Sequence, residues 1–154
     1  MDFYIGPENN SNYVIMQEYV PGADKGDVRI LMLNGEPIGA MKRVPPENDV
    51  RSNISAGGQE VKHALTTEEK ALCRAIGPQL VRDGLYFVGL DVINGKIIEV
   101  NVLSPGGITR INRLNRTKLQ KNVLDFIEHV VSAKDVLTER KNAFRQAIED
   151  AEVL

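Results

Sequence analysis

From Leu85 to Leu103 the even-numbered residues Tyr86, Val88, Leu90, Val92, Ile98, Val100 and Val102 are apolar, while odd positions carry Gly89, Asp91, Glu99 and Asn101. A period of two is that of a sheet with one buried face. Asn94-Gly95 divides the run into two strands, Leu85 to Ile93 and Lys96 to Leu103, because both residues tolerate the backbone of a tight turn. A strict two-residue loop would pair Ile93 with Lys96 and send Asp91 and Glu99 to opposite faces, against the apolar pattern. The spacing therefore predicts a three-residue loop, Ile93-Asn94-Gly95, with Gly95 left-handed as a bulge and Val92 paired with Lys96. Asp91 and Glu99 then become diagonal neighbours on one face, about 7–8 Å apart.

Elsewhere the same patterns predict more elements. Tyr13 to Val20 reads as a strand stopped by Pro21-Gly22. Val28 to Leu33 and Pro37 to Arg43 form a hairpin around Asn34-Gly35. From Val44 to Ala64 apolar content falls, which predicts a connection of about 20 residues, long enough for a lid. Thr66-Thr67-Glu68-Glu69 fits a capping box, and a helix should run from there to Asp83, with Gly77-Pro78 as the place for a bend. Leu119, Val123, Phe126, Ile127 and Val130 mark a second amphipathic helix, and residues 135–151 a third with Phe144 and Ile148 on its apolar side. The fold class is α/β, with a mainly antiparallel sheet flanked by helices.

Composition narrows the function classes. The 154 residues are 26% charged and 42% hydrophobic, ordinary for a soluble domain, and no apolar run approaches the roughly 18 residues of a membrane helix. A formal net charge of −2 and few aromatics argue against nucleic acid as a partner, and no membrane partner is expected. Cys73 stands alone and His63 and His129 are scattered, so neither a disulfide nor a Cys/His zinc site is expected. Met1-Asp2-Phe3-Tyr4 shows no basic segment leading into an apolar one, and the expected location is cytoplasmic. Cys73, inside the helical pattern, reads as a small core residue.

The odd face of the second strand pair carries the chemistry. Asp91, Glu99 and Asn101 offer hard oxygen donors suited to Mg²⁺ that also holds nucleotide phosphates, although an ordinary solvated sheet face fits the pattern equally well. Arg29, Lys42, Arg43, Arg51 and Asn53 could serve phosphate, yet scattered surface arginines are the commoner explanation. Arg110, Arg113 and Arg116 are assigned to a loop or helix face. Ser104-Pro105-Gly106-Gly107 could present backbone N–H groups to an anion, or be a plain strand-to-helix turn.

The ordered segments Gln17-Glu18-Tyr19-Val20-Pro21, Gly26-Asp27-Val28-Arg29, Asn34-Gly35-Glu36-Pro37 and Lys42-Arg43-Val44-Pro45 are followed by Arg51-Ser52-Asn53 and Ala56-Gly57-Gly58. Phe87-Val88-Gly89-Leu90-Asp91, Glu99-Val100-Asn101-Val102 and Ser104-Pro105 complete the series. From about Tyr13 to Val131 this series resembles the C-terminal part of the prokaryotic glutathione synthetase family of the ATP-grasp superfamily. The resemblance implies the C-terminal lobe of an ATP-grasp fold over residues 1–134, with residues 135–154 a helical tail beyond it. It implies that Glu18, Tyr19 and Val20 bind adenine, with Asp27 near the ribose. Arg29, Arg43, Arg51 and Asn53 would contact phosphates or an acyl phosphate. Asp91, Glu99 and Asn101 would hold Mg²⁺, or Mn²⁺ in its place, and Ser104, Pro105, Gly106 and Gly107 a substrate carboxylate. The implied reaction joins γ-glutamylcysteine and glycine at the expense of ATP, and self-association is implied as well.

Two departures qualify the resemblance. The family carries an N-terminal domain and phosphate-clamping lysines ahead of the adenine segment, whereas little precedes it here, so the chain alone is expected to show little or no ligase activity. Gly106-Gly107 and the tail past Ser132 also leave open another peptide-forming ATP-grasp ligase, or a nucleotide-binding module without catalysis.

Overall fold

The computed structural model describes residues 17–46 and 58–152. A short 3₁₀ turn (Ala23–Lys25) leads into β1 (Asp27–Leu33), β2 (Glu36–Val44) and β3 (Gln59–Lys62). These are followed by α1 (Thr67–Arg82), β4 (Phe87–Ile93), β5 (Lys96–Asn101), α2 (Ile108–Asn115) and α3 (Leu119–Glu152). The five strands form one sheet in the order β3-β2-β1-β4-β5, and every neighbouring pair is antiparallel. The α/β class with an antiparallel sheet flanked by helices is as the sequence predicts.

β1 lies at the centre between β2 and β4, and all seven of its residues are buried. Val28, Ile30 and Met32 alternate onto one face, where Val88, Leu90 and Val92 of β4 join Cys73 and Leu80 of α1 in the main core. Leu31 turns the other way, into a smaller core with Met41 of β2, Ile111 of α2 and Leu119 at the start of α3. That second cluster covers only part of its face. The rest carries charge.

The first hairpin turns on Asn34 and Gly35, both at positive φ (50° and 83°), and a bulge at Ile38 separates the pairs Leu31–Gly39 and Met32–Pro37. The predicted capping box is present: Glu69 N–H donates to Thr66 Oγ1 at 3.2 Å, and Thr66 N–H donates to Glu69 Oε2 at 2.9 Å. The helix is assigned continuously through Pro78. Gly77 lets α1 touch the first hairpin backbone to backbone, since a Cβ there would lie 2.2 Å from the Gly35 carbonyl oxygen.

Several expectations need correction. The second hairpin has a two-residue loop after all: Ile93 pairs with Lys96, and Asn94 and Gly95 both hold positive φ (47° and 75°), the backbone that matches strand twist. Parity is restored inside β5, where Ile98 bulges between the pairs Val92–Ile97 and Asp91–Glu99. Asp91 and Glu99 do share a face, directly opposite rather than diagonal. The apolar face of β5 is not core: Ile98, Val100 and Val102 are exposed because β5 is an edge strand beyond the reach of α1, and Ile97 packs there instead.

Tyr13 to Val20 does not bear out a strand in its described part. Gln17 to Val20 has no ladder partner among the described residues, and a strand needs one to satisfy its backbone. The long connection after Val44 contains β3, whose Gln59-Glu60-Val61-Lys62 shows no core-facing alternation; the remainder of that predicted lid, residues 47–57, lies outside the described residues. Arg110 and Arg113 sit on α2, too short to show a period, and Arg116 is its left-handed cap at φ 55°. The two helices expected after Leu119 are one, since no Gly or Pro interrupts residues 119–152. α3 packs through Leu119 and through Phe126, whose ring lies 6.0 Å from that of Tyr86, whereas Leu137 and Phe144 farther along are exposed. Among the described residues no helix is long and apolar enough to cross a membrane.

Two outcomes follow from this packing. Gly77→Ala should lower stability by about 1–3 kcal/mol in a denaturant melt, because only backbone can yield at the α1 contact. Cys73 is buried, which together with the charges of Glu69 and Glu36 pushes its thiol up to about 11. It should resist a thiol reagent at pH 7.5 in the native chain and react fully in denaturant.

Candidate functional site

Antiparallel register builds a charged patch from four strands. Asp27 pairs with Arg43 across β1 and β2, Arg29 with Asp91 across β1 and β4, and Asp91 with Glu99 across β4 and β5. Gly89 pairs with Asn101. Paired residues point to one face, so six polar side chains from distant parts of the sequence converge on the side of the sheet away from α1.

At the centre is Asp91, 2% exposed. Arg29 forks onto both of its oxygens, with Nε on Oδ1 and Nη2 donating to Oδ2 at 2.9 Å, and its Nη1 donates to the Gly106 carbonyl at 3.1 Å. Arg43 forks onto Asp27, its Nε 2.9 Å from Oδ2 and its Nη2 on the same oxygen, and Nη2 also reaches Asp91 Oδ2 at 2.9 Å. Asn101 Nδ2 lies 3.4 Å from Asp91 Oδ2 and 3.5 Å from the Gly89 carbonyl. Burial opposes ionisation of Asp91, but the hydrogen bonds from Arg29 and the positive charge of Arg43 outweigh it and hold the carboxyl below its ordinary range. Burial likewise opposes the charge on Arg43, yet Asp27 and Asp91 raise its pKa further. Two guanidinium groups thus balance two buried carboxylates.

The space left by Gly89 is filled from within: a Cβ there would sit 3.3 Å from Arg29 Cδ and 3.3 Å from Pro105 Cβ. Pro105 is buried, Ser104 is exposed at φ 48°, and Gly106 contributes its carbonyl to Arg29. Gly107 begins α2, its carbonyl accepting from Ile111 N–H at 2.8 Å. Glu18 and Tyr19 are exposed and Val20 half-buried ahead of the 3₁₀ turn. Arg51 and Asn53 lie outside the described residues. Lys42, next to Arg43, faces the opposite side of the sheet, where a cleft of about 690 Å³ also borders His63 and Glu69 at the start of α1.

Glu60 was not singled out by sequence. It pairs with Arg43 across β2 and β3, and its largely buried carboxylate meets Arg110 Nε at 2.9 Å and Arg113 Nη2 at 3.4 Å. The Arg110 contact is an ion pair without hydrogen-bond geometry, so Oε1 is held by charge alone. No local signal could have found Glu60, since its partners lie on the neighbouring strand and on α2.

Glu99 is exposed and, among the described residues, has no ion pair or hydrogen bond. No group of three or more His, Cys, Asp or Glu side chains is arranged to hold a metal ion among the described residues. A cation here would therefore draw on Asp91, Glu99 and the Asn101 amide oxygen, completed by water or ligand oxygens. That donor chemistry suits a hard divalent ion, but Asp91 is at present committed to arginines.

Removing one partner of a buried pair strands the other charge. Arg29→Met should cost about 3–5 kcal/mol in a denaturant melt. The depressed Asp91 pKa contributes stability that is complete above the ordinary carboxylate range and is lost as pH falls through the folded value. Stability should accordingly fall less steeply below about pH 4 in Asp91→Asn than in the wild type.

Residues 4–116 match the family described as prokaryotic glutathione synthetase, ATP-grasp domain. A glutathione synthetase from Thermosynechococcus vestitus is 47% identical over 114 residues, which cover 74% of this chain and 36% of that protein. The Gloeobacter violaceus glutathione synthetase is 47% identical over 117 residues, covering 76% and 36%. That of Agrobacterium fabrum is 46% identical over 121 residues, covering 79% and 38%. The chain thus spans little more than a third of the length of these curated relatives. Among solved structures, the ATP-grasp ligase PsnB complexed with minimal precursor aligns with a TM-score of 0.39 at 19% identity, covering 57% of this chain and 28% of that one. On the family match and these identities, the chain belongs to the prokaryotic glutathione synthetase family, through its ATP-grasp domain.

Proposed function

We propose that this chain supplies the phosphate- and cation-facing part of an ATP-dependent ligase that joins γ-glutamylcysteine and glycine. The observation that carries the reading is the convergence of Asp27, Arg29, Arg43, Asp91, Glu99 and Asn101 on one sheet face, in a member of this family. In the reaction a carboxylate oxygen of γ-glutamylcysteine attacks the γ-phosphorus of ATP and ADP leaves. The glycine amine then attacks the acyl carbon of the acyl phosphate, and inorganic phosphate leaves as the amide bond forms.

Asp91, Glu99 and Asn101 would hold Mg²⁺ or Mn²⁺, which when bound offsets the charge of the transferred phosphoryl group. Arg29 and Arg43 are rigid donors whose forks suit phosphate oxygens. Their positions are fixed before ATP arrives, Arg29 by Asp91 and the Gly106 carbonyl, Arg43 by Asp27. Preorganised donors of this kind need no reorganisation as charge develops. Asp27 serves as the anchor of Arg43. Arg51 and Asn53 act on the same phosphates, Glu18 to Val20 hold the adenine, and Ser104 to Gly107 border a substrate carboxylate.

Because the chain spans 36–38% of these relatives, assayed alone it should form glutathione no faster than the uncatalysed background. Partial nucleotide binding is the more informative readout. ATP binding to the 154-residue chain, followed by calorimetry, should strengthen with added Mg²⁺ in the wild type and lose most of that dependence in Glu99→Gln. Equal Mg²⁺ dependence in the two proteins would remove Glu99 from the cation site.

A further inference from the structure

We infer that Arg43 and a divalent cation compete for the same oxygen of Asp91, so that cation binding releases the Arg43 guanidinium from that carboxylate for phosphate. The inference rests on reading this face as a cation and phosphate site. It begins from crowding. Asp91 Oδ2 has Arg29 Nη2 and Arg43 Nη2 each at 2.9 Å and Asn101 Nδ2 at 3.4 Å. A carboxylate oxygen presents about two lone-pair directions; Arg29 and Asn101 take them by hydrogen bonds, and the Arg43 guanidinium crowds the remaining approach as an ion pair.

Oδ2 is also the oxygen beside Asn101, and the register places Glu99, on β5 with Asn101, directly opposite Asp91 on β4. A cation that engages both carboxylates and the Asn101 amide must therefore approach through Oδ2, and a donor must leave. Arg29 is the harder to displace, with a fork on both Asp91 oxygens and a third contact to the Gly106 carbonyl. Arg43 has a single contact to Asp91 and keeps its fork on Asp27 when that contact breaks. Asn101 must also turn, since its NH₂ now points at Oδ2; rotating the amide presents its carbonyl oxygen instead.

The exchange has two consequences. Without a cation, Arg43 keeps the buried Asp91 charge compensated. With a cation, Arg43 stays tethered by Asp27 beside the site with its charge no longer paired to Asp91. Cation and phosphate should then favour each other's binding, by the reciprocity of coupled equilibria.

Mn²⁺ binding to the 154-residue chain, with metal alone as the probe, tests this by electron paramagnetic resonance of the free ion. Arg43→Met should bind Mn²⁺ about tenfold more tightly than wild type, the equivalent of one lost competing charge contact. Arg43→Lys, whose single ammonium can stay on Asp27 without serving both carboxylates, keeps the experiment decisive if the methionine variant fails to fold; it should bind about threefold more tightly. In side-chain nitrogen spectra, Mg²⁺ should strip exchange protection from the Arg43 guanidinium and leave that of Arg29 intact. Unchanged Mn²⁺ affinity in the folded variants, or a response at Arg29 alone, overturns the competition while leaving the cation site standing. Absence of cation binding in wild type and variants alike overturns the site reading itself.

Discussion

Three buried charged side chains, Asp27, Arg29 and Asp91, with the half-buried Arg43 beside them on one sheet face, are the constraint on which this structure turns. Taking a single carboxylate out of water costs several kcal/mol, and Asp27 and Asp91 are each 2% exposed. Only a complete set of partners makes that tolerable. Arg29 and Arg43 provide it by joining three strands side chain to side chain as well as through the backbone ladder. Main-chain geometry follows from the same need. Gly89 leaves room for the Arg29 stem, Pro105 closes over it, and the Gly106 carbonyl accepts from Arg29 Nη1.

The two faces of the sheet divide the labour. Against α1, alternate residues of β1 and β4 bury aliphatic side chains around Cys73 and Leu80 and supply the hydrophobic stabilisation of the domain. The other face is apolar only where α2 and the start of α3 cover it, around Leu31 and Met41. Its uncovered part holds the arginine–aspartate lattice, with Glu99 and Asn101 at the rim and Glu60 linking β3 to α2. A rigid apolar layer behind a preorganised polar one suits the phosphate and cation role proposed for this face.

Much of this was legible in the sequence wherever the signal was local. Thr66 and Glu69 announced the start of α1, Asn34-Gly35 and Asn94-Gly95 announced both hairpins, and the alternation around Asp91 announced the face it occupies. The bulge was placed wrongly because parity alone shows that one extra residue exists, and not whether it is Gly95 or Ile98. β3 and α2 escaped because four and eight residues are too few to display a period. The charge lattice escaped for a different reason. Arg43 and Asp27 are 16 residues apart, and Arg29 and Asp91 are 62 apart, so their pairing exists only after three strands have come into register. Sequence could name each of these residues as a ligand contact, but not reveal that they first bind one another.

The central question is where a divalent ion binds on this sheet. Paramagnetic broadening of backbone amide signals by substoichiometric Mn²⁺ locates it directly in solution. The account predicts selective loss of the Gly89 to Asp91 and Glu99 to Asn101 signals before any others. Broadening that instead centres on the acidic residues of α3, or spreads evenly over the surface, would contradict it.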